Sequence, residues 1–130
     1  MTPVEPNTWL WILAGFLAAI FVGTGLLKLT TPRDRLVASG MGWAREFSQE
    51  QIRLIGIAEV LGAIGLVVPP LLGIVPLLSP VAASCLALGM AGATAVHIRR
   101  REFLPDALRS LAVVVLCVVL AAYRFGPQPF

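Results

Sequence analysis

The stretch from Ile52 to Val68 constrains the fold of this chain more than any other part of the sequence. It reads IRLIGIAEVLGAIGLVV and is apolar except for Arg53 at its start and Glu59 inside it. At about 1.5 Å per helical residue, it is long enough to cross most of the apolar core of a bilayer. A carboxylate at that depth is costly, so it normally faces a bundle interior or a wet cavity. We therefore predict that Glu59 lies inside a bundle of membrane-spanning helices.

Small residues share the predicted helical face of Glu59. Gly56, Gly62 and Ala63 lie three or four positions from it, which places them on the same side of a helix. Small residues let neighbouring helices approach closely in a membrane. In the first apolar stretch, small residues recur every four positions and are also expected to form a packing face; they are Gly15, Ala19 and Gly23.

The composition of the whole chain fits several spans. Apolar residues make up 58% of the 130 residues and charged residues only 13%, with a mean hydropathy of +0.87, whereas soluble domains carry roughly 25% charged residues. Glu5 and the lack of Lys or Arg before the first apolar run do not fit a cleaved signal peptide. We predict one all-α domain, an integral membrane up-and-down bundle of four spans at about 9–29, 51–68, 80–97 and 105–123.

Prolines and capping patterns indicate where these spans begin and end. Pro69-Pro70 is expected to stop the second span, and Pro105 to open the fourth. Ser79-Pro80 is typical of an N-cap followed by a first helical position, so it is expected to start the third span. Ser48 with Gln51 three residues later is a capping-box pattern for the start of the second span.

The basic residues concentrate in two loops and predict the orientation in the membrane. One group surrounds the first loop and the other the third loop, while the connector 69–79 has no charge; the two groups are Lys28, Arg33, Arg35, Arg45 and Arg53, and Arg99, Arg100, Arg101 and Arg109. The positive-inside rule therefore places loops 30–50 and 98–104 in the cytoplasm and both termini outside. The expected location is the inner (plasma) membrane of a bacterium, since abundant Ala, Gly, Val, Leu and Arg beside one Lys suggest a GC-rich genome. Because the basic residues are confined to two loops, the net charge of +3 does not indicate nucleic-acid binding.

Glu59 is the sharpest functional signal, and two interpretations of it stay open. It could be a proton carrier, an acid/base or the polar anchor of an apolar ligand, because charged groups within spans are usually functional. It could also be a structural carboxyl, protonated or paired with Lys28 or His97. His97 could titrate near neutral pH or face headgroups, and Lys28 could simply snorkel to the interface. Trp43 fits a lid over a cavity or an interfacial anchor equally well.

The directions of the spans predict where a pocket lies. Lys28, Arg53 and His97 all reach the membrane at the predicted cytoplasmic face, and Glu59 lies about 9 Å deeper than Arg53 on the helical rise. We predict a cavity whose polar end holds Glu59 and His97, with Trp43 near its mouth and small residues as walls.

The cysteines and the single histidine do not suggest a metal or thiol-redox centre. Cys85 and Cys117 have similar predicted depths, so a bridge between them is left open, but the chain has no CxxC motif. We interpret them as packing residues. One His and two separated Cys have no metal-ligand spacing, so no metal is expected.

Four segments resemble the DoxX-like family of small four-span membrane proteins. They are GTGLLKLTTP at 23–32, MGWA at 41–44, IGIAEVLGAIGLVVPP at 55–70 and MAGATAVHIRRRE at 90–102. The resemblance implies the four-span fold and makes motif positions of Gly25, Lys28, Trp43, Glu59 and His97. The family takes its name from a subunit of an archaeal thiosulfate:quinone oxidoreductase, and some members are linked to oxidative stress or redox partners.

Two functions and one non-enzymatic alternative follow. The first is a redox-linked membrane subunit that binds a quinone or similar lipophilic molecule, with a redox partner protein or a second copy of the chain as partner. Its expected catalytic residues are Glu59 and His97, and its expected ligand-binding residues are Lys28, Trp43, Gly25 and Arg53. The second is a cofactor-free membrane isomerase or cyclase that uses Glu59 as acid/base. The third is a non-enzymatic assembly partner in a larger membrane complex.

Overall fold

The computed structural model of the protein describes residues 6–127 and residue 129. Glu5 and the rest of the polar lead before residue 6 lie outside the described residues. Helices and short connectors account for the described chain, in the order α1 (Pro6–Thr30), α2 (Arg33–Ala38), a 3₁₀ helix (Gly42–Glu46), α3 (Gln49–Leu72), α4 (Leu78–Arg99), a π-helical turn (Phe103–Ala107) and α5 (Leu108–Phe125). The predicted all-α class is confirmed.

Four of these segments are long and apolar enough to span a membrane, namely α1, α3, α4 and the π-helical turn together with α5. They alternate in direction and pack in the order α1, α3, α4, α5, with α5 contacting α1 more loosely. One end of the bundle carries the segment 31–48 and the turn 100–102, and we call it the basic end. The other, which carries the connector 73–77, is called the terminal end. The predicted four-span up-and-down bundle is thus confirmed, and each span is a few residues longer than expected.

The apolar core fills the half of the bundle nearer the terminal end. Phe21 of α1, Leu66 of α3 and Leu120 of α5 are essentially inaccessible to solvent there, and Leu86 of α4 packs with them. At the same end, the guanidinium carbon of Arg124 lies 6.0 Å from the centre of the Trp11 ring and joins α5 to α1. The bundle is therefore closed in its terminal half.

The small-residue face expected to pack in the first span does not pack inside the bundle. Gly15, Ala19 and Gly23 are exposed, and a Cβ added at either glycine would meet nothing within 4 Å. The face of α1 that enters the core carries Leu10, Ala14, Leu17 and Phe21 at helical spacing, and three of these four are large apolar residues. Apolar volume, rather than close backbone approach, thus determines which face of α1 turns inward in this half of the bundle.

The expected ends around the uncharged connector are also corrected. The helix α3 does not stop at Pro69-Pro70 but continues to Leu72 and ends at Gly73, which has the left-handed φ of 69°. Pro70 has no N–H for the carbonyl of Leu66, four residues earlier; the buried hydroxyl of Ser79 donates to that carbonyl instead, at 2.7 Å. Ser79 is therefore not an N-cap, and α4 already begins at Leu78.

Two predictions of helix starts at the basic end are confirmed. The capping box is confirmed: the backbone N–H of Gln51 donates to Ser48 Oγ at 3.1 Å, and the N–H of Ser48 donates to Gln51 Oε1 at 2.9 Å. Pro105 follows Leu104, whose backbone is extended (φ −128°, ψ 132°), and the residues from Pro105 onward are helical and lead into α5, so the expected start of the fourth span at Pro105 is confirmed.

Candidate functional site

A cavity of about 680 Å³ occupies the half of the bundle nearer the basic end. Its walls come from α1, α3, α4 and the start of α5, and Phe21 and Leu86 separate it from the closed core. Most of the lining is apolar, while the ionisable side chains gather toward the basic end; they are Lys28, Glu59, His97, Asp106 and Arg109. Its volume is in the range of pockets that bind small organic molecules.

Glu59 is buried in the cavity wall and is paired rather than isolated. Lys28 Nζ lies 2.9 Å from Glu59 Oε1 and 3.0 Å from Oε2. The hydroxyl of Thr24, one helical turn from Lys28, lies 3.1 Å from Oε2 and completes the group. Charge pairing with added hydrogen bonds is what makes a carboxylate tolerable at this depth. Of the alternatives left open by the sequence, the structure shows pairing with Lys28 and not with His97.

Two glycines bring this ion pair together. A Cβ added to Gly25 would lie 2.8 Å from the carbonyl oxygen of Gly56, and one added to Gly56 would lie 2.8 Å from that of Gly25. The backbones of α1 and α3 therefore touch at this crossing, three residues from Lys28 on one helix and three from Glu59 on the other. This is the close approach that small residues permit between membrane helices.

Trp43 covers the polar group from the basic end. Lys28 Nζ lies 5.5 Å from the centre of the Trp43 ring, within the range of a cation–π contact. Phe47 packs edge-on against Trp43, with ring centres 6.1 Å apart and an interplanar angle of 66°. Both aromatic rings line the cavity.

Arg33 holds the loop that carries these aromatic residues, which its place in the sequence did not predict. Its Nε donates to the carbonyl oxygens of Ala44 (3.0 Å) and Phe47 (2.7 Å), and its guanidinium also donates to that of Arg45 (2.8 Å). Its backbone N–H donates to Gln49 Oε1 at 2.7 Å. The 3₁₀ helix is thereby anchored to the start of α2. A positive charge in a polar loop predicts orientation, but not which carbonyls it will meet.

A second polar group lies at the basic end around His97. His97 Nδ1 is 3.0 Å from Glu102 Oε1, and Arg100 Nε is 3.3 Å from the same oxygen. The hydrogen bond from His97 lowers the pKa of the Glu102 carboxyl; burial opposes this, and the charge of Arg100 adds to the lowering. Glu46 of the first loop pairs with Arg99 and Arg100. These ion pairs join the two basic loops.

The predicted site residues separate into two sets. Lys28, Trp43, Glu59 and His97 all line this cavity, so Glu59 and His97 meet around a common cavity as expected. Gly25 packs against α3 and Arg53 is exposed on the outer face of α3, and neither is among the lining residues.

The two cysteines are not bridged. Cys85 lines the cavity, and Cys117 is buried in the core. The packing role expected for both therefore fits Cys117 only.

Four alternating apolar helices around a cavity with an ion pair in its wall define an integral membrane protein of the four-helix-bundle class. The family model of the DoxX-like family matches residues 12–122, and the chain belongs to that family. Neither the curated proteins nor the solved structures contain a match to it.

Proposed function

We propose that this protein binds a quinone or another lipophilic small molecule with a polar head in its intramembrane cavity, in a redox-linked role. The observation that carries the proposal is the cavity itself, about 680 Å³ of mostly apolar space with the Lys28–Glu59 pair in its wall. An apolar pocket with a few convergent polar groups is the usual form of a small-molecule site.

The charge arrangement favours a neutral head group. Lys28 and Glu59 neutralise each other, and together they offer one donor group and one acceptor group at the same point. Trp43 supplies a flat apolar surface above Lys28, and His97 is a second polar contact in the same cavity. The head of the ligand lies at these side chains, and its apolar part lies along α1 and α4.

The proposal also includes the orientation of the protein in the membrane and its redox-linked role. The basic residues favour a cytoplasmic basic end in the plasma membrane, so the polar head lies nearer the cytoplasm. The redox-linked part is supported by the family resemblance, and a redox partner protein exchanges the electrons. A free general base, as the isomerase or cyclase alternative requires, is less well supported because Lys28 and Thr24 already occupy the oxygens of Glu59.

Binding of a short-chain quinone tests this function. The full-length protein in lipid nanodiscs is titrated with decylubiquinone, and quenching of Trp fluorescence is compared with empty nanodiscs and with a Trp43→Phe protein. Glu59→Gln is expected to weaken binding at least about tenfold, or about 1.4 kcal/mol. Glu50→Gln, an exposed carboxyl in the same helix, is the matched control and is expected to bind normally.

Equal binding by the Glu59→Gln and Glu50→Gln proteins, or no quenching beyond that of empty nanodiscs, would overturn the quinone proposal. Native mass spectrometry of the purified protein would then reveal whether a different lipophilic molecule occupies the cavity.

A further inference from the structure

Three side chains that can bind metals meet at the basic end, apart from the Lys28–Glu59 pair. One ligand atom each from His97, Glu102 and Asp106 lies within 4.8 Å of the other two, and all three residues are half-buried. They come from one short segment that spans the end of α4, the turn and the π-helical turn. Because their spacing of five and four residues crosses a turn, no helical or strand period reveals it in the sequence.

The backbone fixes this arrangement through the turn. The N–H of Glu102 donates to the carbonyl of His97 at 2.8 Å, and the N–H of Ala107 donates to the carbonyl of Glu102 at 2.9 Å. Arg101, directly before Glu102, has a φ of 61°, which lies in the left-handed region and reverses the chain direction. This turn places the Glu102 carboxylate beside the His97 ring. The side chains are thus held together by the fold itself, which lowers the entropy lost when they bind a common ion.

We propose that His97, Glu102 and Asp106 bind one divalent transition-metal ion. One imidazole nitrogen and two carboxylate oxygens suit Zn²⁺, Mn²⁺ or Fe²⁺, whereas Mg²⁺ and Ca²⁺ prefer oxygen ligands alone. Two carboxylates balance the charge of the ion. Three protein ligands leave room for water or another small ligand, and His97 and Asp106 both line the cavity, so that position is reached from the cavity. The site does not depend on the quinone proposal.

Arg100 is the built-in competitor of such an ion. Its Nε lies 3.3 Å from Glu102 Oε1, the oxygen nearest His97. A bound cation and the guanidinium would repel each other and compete for that oxygen. Arg100 has a second partner in Glu46, with Nη1 3.4 Å from Oε1, so it can give up the Glu102 contact. Removal of the guanidinium is therefore expected to tighten metal binding, an effect that a purely structural ion-pair network would not produce.

Titration with Zn²⁺ and Co²⁺ tests the site. The full-length protein in nanodiscs is stripped with a chelator, and Zn²⁺ binding is followed by calorimetry. One equivalent is expected for the unaltered protein. Each of His97→Ala, Glu102→Gln and Asp106→Asn is expected to weaken binding at least about tenfold, and Arg100→Gln to tighten it about threefold. Asp34→Asn, an exposed carboxyl at the same end, is the control and is expected to bind like the unaltered protein.

The visible bands of bound Co²⁺ report the ligands independently of affinity, and they should change in the His97→Ala protein but not in the Asp34→Asn protein. If His97→Ala does not fold, as judged by helicity and gel filtration, the Zn²⁺ affinities of Glu102→Gln and Asp106→Asn alone test the site. The proposal is overturned if Glu102→Gln and Asp106→Asn bind Zn²⁺ as tightly as the control. It is also overturned if Arg100→Gln binds no more tightly than the unaltered chain.

Discussion

The partners of Glu59 explain how a carboxylate is retained in a bundle of apolar helices. Its two oxygens accept from Lys28 and Thr24, and the residue is only 9% exposed. Its inward orientation was predictable from the cost of a charge facing lipid. The choice of Lys28 over His97 was not, because it depends on how α1 and α3 cross at Gly25 and Gly56. Two closely placed backbones, rather than any property of Glu59 itself, decide which cation it meets.

Removal of Lys28 should leave Glu59 as an uncompensated buried charge. We expect Lys28→Met to lower the free energy of unfolding by about 3 kcal/mol, the lower part of the range for a broken buried pair, since both side chains keep a small exposed fraction. The double variant Lys28→Met with Glu59→Leu should recover most of this loss, because no charge is then left alone. Unfolding in mixed detergent micelles measures both. If the double variant is as unstable as the single one, the pair does not stabilise the bundle in this way.

At the scale of the helices, the sequence predicted the number of spans better than their ends. Hydropathy and length determine a span, but a helix end depends on where each unpaired carbonyl finds a donor. Pro69-Pro70 removes donors from α3, and Ser79 of α4 supplies one to Leu66. This partner lies 13 residues away in the sequence, so no local pattern indicated that α3 would continue to Leu72. The same principle applies to Arg33, whose carbonyl partners lie 11 to 14 residues away.

The crossing of α1 and α3 can be tested with two glycines of one helix. A methyl group at Gly25 would lie 2.7 Å from Val60 Cγ2 and 2.8 Å from the backbone oxygen of Gly56, so the helices would have to separate. Gly25→Ala should therefore cost about 1–3 kcal/mol of unfolding free energy. Gly23→Ala meets nothing within 4 Å and should be neutral or slightly stabilising, since Ala favours the helix. Equal stabilities of the two variants would contradict the close crossing.

At the scale of the molecule, the bundle is closed in its terminal half and hollow in its basic half. The position of the cavity near the basic loops followed from the directions of the spans and the charges at their ends. The closed half could not be predicted in this way, because it requires four residues from four separate helices to meet, namely Phe21, Leu66, Leu86 and Leu120. Their sequence separations are long, and each is one apolar residue among many in its span. Apolar patterning alone therefore could not distinguish a filled half from a hollow one.

Labelling of the two cysteines can test the difference between the closed half and the hollow half, and the position of Trp43 over the cavity. Cys85 lines the cavity and Cys117 lies in the closed core, so N-ethylmaleimide should label Cys85 at least about tenfold faster in the folded protein. Because Trp43 lies over the polar wall of the cavity beside Lys28, Trp43→Ala should speed labelling of Cys85 by a charged, membrane-impermeant maleimide several-fold while leaving Cys117 protected. Mass spectrometry of peptides measures both rates, with Cys85→Ser as the control. If Cys85 is instead reached from the lipid side, its labelling rate will be the same with and without the Trp43 ring.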